Sequence, residues 1–164
     1  MRDIPALVKK DHREYTFSET LKEPLMSEPR SALPPKFEIS HEDMDRVLTR
    51  FYAGVRQHPE LAPVFGAHVE DWPAHEEKIG RFWRNAILHE RQYDGFPQRV
   101  HLMAPEVKEH HFAMWLGLFD ETLNAELDPE TAAKWSEMAH RIGRAFRMGI
   151  VSRDQPKDAP PKLF

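Results

Sequence analysis

The segment DWPAHEEKIGRFW at residues 71–83 reads as the opening of an amphipathic helix with a histidine on its apolar side. A helix begins near Asp71, and Pro73 is tolerated in the first turn because an N–H there would have no intrahelical partner. Steps of three and four residues then place Trp72, His75, Ile79, Phe82, Trp83, Ala86 and Ile87 on one stripe. A titratable ring on a stripe otherwise made of large apolar groups is the feature from which the rest of the chain is best read.

The flanking sequence is helical too. Upstream, Ser40 followed by His41, Glu42 and Asp43 resembles a capped start, after which Met44, Val47, Leu48, Phe51, Tyr52 and Val55 recur with helical spacing. Downstream, a third helix is expected to open at Pro105 and carry Phe112, Trp115, Leu116, Phe119 and Leu123. A fourth opens with Asp128-Pro129 and carries Trp135, Met138, Ala139, Ile142 and Phe146. Between the second and third, residues 89–103 contain Tyr93, Asp94, Gly95 and Pro97, so loop is expected, with at most a turn of helix before His101. No stretch alternates with a period of two, and the fold class expected is all-α with four main helices.

With 164 residues, 40% of them hydrophobic, the chain supports one core. Residues 1–38, with prolines at 5, 24, 29, 34 and 35, are expected to be an N-terminal arm, residues 39–153 the helical domain, and residues 154–164, rich in proline, an extended tail. A net charge of −4 provides no positive field for a nucleic-acid backbone. No apolar run approaches the roughly 20 residues of a membrane span, and the first residues lack the apolar centre of a secretory signal, so a cytoplasmic protein with neither nucleic acid nor membrane as partner is expected. The absence of cysteine rules out disulfides, thiolate metal sites and thioether attachment of haem.

Phe51, Phe65, Phe82, Trp83, Phe112, Trp115 and Phe146 are enough aromatic surface to wall a flat apolar cofactor, but periodicity alone equally describes the core of a plain helix bundle. The order of motifs separates the two. FYAGVRQHPELAPVF at 51–65, DWPAHEEKIGRFW at 71–83, QYDGFPQRVH at 92–101 and HFAMWLGLF at 111–119 together resemble the truncated haemoglobins, most closely their third group, over residues 40–150.

That resemblance implies a globin-like two-over-two helical sandwich around haem b. It puts His101 at the position of the proximal iron ligand, with Tyr52, His75 and Trp115 on the distal side and Phe65 packed against the cofactor. Lys78, Ile79, Phe82 and Trp83 fall at haem-facing positions, and Phe112, Ile142 and Phe146 complete the pocket. Val100 stands where related chains often carry a basic residue that meets a haem propionate, so Arg99 or Lys78 is the alternative for that contact. His75 is open to three readings: a satisfied core group, a swinging gate, or a sixth iron ligand.

The function implied is reversible binding of oxygen or another small diatomic ligand, with oxygen transport as one use. Donors from Tyr52 and Trp115 would converge on a bound ligand that becomes partly negative. The alternative is peroxidase or nitric oxide dioxygenase turnover, which would need an unidentified reductase. A non-haem di-iron bundle is a third reading, since it uses Glu-x-x-His on two helices, and that spacing occurs at Glu137/His140 and Glu38/His41. The adjacent His110 and His111 are expected to point about 100° apart and not to share an ion.

Overall fold

In the computed structural model, residues 33–158 are described. The apolar residues of the arm that could cover the domain, Leu7, Val8, Tyr15, Phe17, Leu21, Leu25 and Met26, and the tail from 159 onward lie outside the described residues. Among the described residues there are six helices and no strand: α1 (His41–Gln57), α2 (Leu61–Gly66), α3 (Trp72–Leu88), α4 (Pro97–Met103), α5 (Glu109–Glu126) and α6 (Pro129–Asp154). The fold is all-α, with α1 paired on α3, α5 on α6, and α1 lying across α5.

Three of the four long helices, α1, α3 and α6, follow their caps. Ser40 Oγ accepts from the Asp43 N–H at 3.0 Å, Asp71 Oδ1 from the Ala74 N–H at 3.0 Å, and Asp128 Oδ1 from the N–H groups of Glu130 and Thr131 at 3.1 Å. Each satisfies donors that the first turn leaves unpaired. The buried face of α1, Met44 to Val55, joins Trp83, Phe119, Leu123 and Trp135 in one core. Where α1 crosses α5, a Cβ on Gly54 would lie 3.2 Å from a methyl of Leu118, so glycine there allows the close approach. The chain ahead of α1 is tied in as well: Phe37 is buried in the core and the Lys36 N–H donates to the Ile87 carbonyl at 2.8 Å.

The four main helices are present as expected, one addition is made to them and two expectations are corrected. Two short helices, α2 and α4, accompany the four long ones; six or seven residues are too few to show a period. α4 provides the expected turn before His101 and continues to Met103. The third long helix opens at Glu109 after Lys108, not at Pro105. Its start is set from outside the segment: the carbonyls of Ala104 and Val107 are held by Arg153, and the Lys108 N–H donates to His111 Nδ1 at 3.1 Å. Finally, the rings of His110 and His111 lie 4.1 Å apart, with Glu60 Oε2 3.7 Å from His110 Nε2, so adjacency has not separated them. A shared ion is still opposed by chemistry, because His111 Nδ1 accepts a backbone N–H and its other nitrogen must then carry the proton.

Candidate functional site

The expected residues fall into two sets of side chains, one around His75 and one around His101. In the first, α1 supplies Tyr52, the end of α2 supplies Phe65, and the first turn of α3 supplies Trp72 and His75. The His75 ring sits in a box of three aromatics, 5.0 Å from Tyr52, 6.1 Å from Phe65 and 6.0 Å from Trp72. Its Nε2 is buried and has no hydrogen-bond partner. Burial, then the positive charge of Lys78, push the His75 pKa below its ordinary value, so the ring is neutral near pH 7. Tyr52 is almost fully buried, and desolvation reinforced by the Glu76 carboxylate raises its pKa, which keeps its hydroxyl a hydrogen-bond donor.

Trp72 and Arg56 were not among the residues expected at the site. The Arg56 guanidinium lies 4.9 Å above the Trp72 ring and donates to Glu76 Oε1 at 2.7 Å, closing the outer edge of the aromatic box. Trp72 was legible on the α3 stripe; Arg56, on the exposed face of α1, gave no periodic signal.

The second set centres on His101 of α4. A carbonyl only accepts, so the 2.7 Å contact between His101 Nδ1 and the Pro97 oxygen fixes the proton on Nδ1 and leaves the Nε2 lone pair free. The ring stacks on Phe146 at 4.8 Å and tilts against Phe112 at 6.0 Å. Burial lowers the His101 pKa, the bond to Pro97 opposing it, so this ring too is neutral near pH 7. His101 is near enough to His75 that its charge would disfavour a proton there.

The remaining expected residues divide. Ile79, Phe82, Trp115 and Ile142 are half-buried at the margin of the core, Trp115 stacked on Phe119 at 5.1 Å and Phe82 edge-on to Tyr93 at 5.4 Å. Trp83 belongs to the core itself, stacked on Phe119 at 5.7 Å and edge-on to Trp135 at 5.5 Å. Lys78 and Arg99 are exposed. The two Glu-x-x-His pairs go elsewhere: His140 Nε2 is 2.8 Å from Asp120 and His41 Nε2 is 2.5 Å from Glu90. No described helix is long and apolar enough to cross a membrane.

The free lone pair of His101 and the unpartnered buried nitrogen of His75, two neutral imidazoles within electrostatic reach of each other, have the donor chemistry that a metal-centred cofactor takes. No family model matches the chain. A group 3 truncated hemoglobin, ctb, of Campylobacter jejuni subsp. jejuni serotype O:2 is 35% identical over 117 residues, covering 68% of this chain and 92% of that protein. The crystal structure of a group III truncated hemoglobin from Campylobacter jejuni matches with a TM-score of 0.69 at 29% identity, over 76% of this chain and all of that one. Similarity on that scale, carried by sequence and fold together, makes the chain a member of the group III truncated haemoglobins.

Proposed function

We propose that this globin holds haem b without covalent attachment, with His101 Nε2 as the iron ligand, and that it binds oxygen or a similar diatomic ligand reversibly beneath Tyr52, His75 and Trp115. The observation that carries the reading is the fixed tautomer of His101, whose Nδ1–H is committed to Pro97 and whose Nε2 is thereby left with a free lone pair. Haem, when bound, supplies the coordination position at which such a ligand is held. The chain's own residues do the rest. The hydrogen bond to Pro97 orients the proximal ring and raises its basicity. Phe112 and Ile142 are the apolar wall on that side, and Phe65, Ile79 and Phe82 the wall towards α3, backed by Trp83 in the core. Lys78 and Arg99, exposed and cationic, are the candidates to meet propionates at the rim.

On the distal side Tyr52 would offer its hydroxyl, and Trp115 its indole N–H, as hydrogen-bond donors to such a ligand. Neutral His75 can donate or accept through Nε2, according to its tautomer. A Soret band in purified protein, and its loss or displacement in His101→Gly with recovery on adding imidazole, is the expected result. A His101→Gly protein with the wild-type ferrous spectrum would refute the assignment. Sustained consumption of peroxide or nitric oxide with a reductant would instead make the site an enzyme's.

A further inference from the structure

α4 is a weak element in a demanding place. A seven-residue helix is not stable alone in water, and its last carbonyls have no partners within it. They are bonded from the far end of the chain. Arg153 Nη1 donates to the carbonyl of Ala104 at 2.8 Å, with longer contacts to those of His101 at 3.3 Å and Leu102 at 3.4 Å. Its Nη2 donates to Val107 at 2.7 Å. Asp154 holds the other edge of the same fork, accepting from Nε at 2.7 Å and Nη2 at 2.9 Å, and Lys108 Nζ lies 3.5 Å from Asp154. Every nitrogen of the guanidinium is used, and one of its acceptors is the backbone of His101 itself.

The same face of α6 holds the His101 ring. Phe146, seven residues before Arg153 and therefore two turns away on one side of the helix, stacks on the imidazole at 4.8 Å. Between them Gly149 lets α4 come close: a Cβ there would stand 3.2 Å from a methyl of Leu102.

We propose that Arg153 is a positioning residue for the proximal histidine: through the carbonyls at the end of α4 and just after it, Arg153 holds α4 against α6, with Leu102 over Gly149 and the His101 ring on Phe146, and so fixes the height and rotation of that ring. The inference rests on His101 being the iron ligand. A lysine could reach one or two of these carbonyls but not span them as the planar fork does.

The test uses haem-loaded Arg153→Gln and Arg153→Lys, with Asp154→Asn as a variant that keeps the arginine but frees one edge of its fork. Three readouts are taken: the iron–histidine stretching band of the ferrous protein by resonance Raman, the rate of haem transfer to an acceptor globin, and amide exchange at Ala104 and Val107. In Arg153→Gln the band is expected to shift or broaden, haem loss to accelerate on the order of tenfold, and both amides to exchange faster while α1 is unchanged. Arg153→Lys should be intermediate. A destabilised Arg153→Gln with the wild-type band and haem-loss rate would overturn the inference, leaving Arg153 a structural cap. If Arg153→Gln does not fold, Asp154→Asn decides, a broadened band supporting the role and an unaltered one overturning it. Failure of the ligand assignment is seen separately, as a His101→Gly protein that keeps the wild-type band.

Discussion

At the scale of single residues, the site depends on burial setting protonation states. Tyr52 keeps its proton because desolvation and Glu76 both disfavour the phenolate, so the folded pKa lies above the ordinary 10.0. The sign follows from linkage: below pH 10 both folded and unfolded chains hold the proton, and above it the unfolded chain releases one that the folded chain retains. The stabilisation tied to Tyr52 is therefore complete below pH 10 and lost as pH rises beyond it, at about 1.4 kcal/mol per pH unit for one proton. Urea midpoints at pH 9 and 11 should fall further for the wild type than for Tyr52→Phe; equal falls would mean that the hydroxyl is hydrated. Under the proposed function the same hydroxyl is a donor to the ligand. Tyr52→Phe and Trp115→Phe each remove one neutral hydrogen bond while keeping a ring, so each should raise the oxygen dissociation rate about three- to tenfold, read by stopped flow. Unchanged rates in both would exclude a polar distal pocket.

At the scale of elements, the sequence made some things legible and not others. The four long helices show because each buries one face, and that face repeats; Ser40, Asp71 and Asp128 then mark where three of them begin. The first turn of α5 was misplaced because Pro105 is a sound helix opener locally, whereas the backbone from Ala104 to Val107 answers to Arg153 on another helix. Tertiary contacts of that span leave no periodic trace. Motif order singled out His101, Tyr52, His75 and Trp115 as candidates, but the Phe146 stack, the Trp72–Arg56 edge and the Arg153 fork arise from packing between distant segments and leave no mark in the sequence. Gly149 belongs to the same class, since only its 3.2 Å approach to Leu102 explains the absence of a side chain. Gly149→Val should overpack the α4–α6 contact and cost about 1–3 kcal/mol, measured as a lowered urea midpoint. A midpoint as high as the wild type's would show that Leu102 moves aside freely.

At the scale of the whole molecule, the question is where the haem-binding unit starts. The residues proposed to touch the cofactor run from Tyr52 to Phe146, but the chain joins the domain earlier, through Lys36 on the Ile87 carbonyl and Phe37 in the core. Ile87 lies at the end of α3, the helix that carries His75 near its other end, so the Lys36 bond anchors the far end of that helix. A cut after residue 35 keeps both contacts, and one after residue 39 removes both. Burying a phenylalanine contributes about 1.5–3 kcal/mol and one backbone hydrogen bond about 0.5–1.5 kcal/mol, which for a domain of modest stability is a large share. The protein lacking residues 1–35 should therefore bind haem at the same stoichiometry as the full chain, whereas the protein lacking residues 1–39 should show a thermal midpoint lower by several degrees and faster haem loss. Haem content and calorimetry on the two truncations beside the full chain make the comparison. If the shorter deletion folds but fails to retain haem, the unit begins before residue 36 and the arm belongs to the pocket.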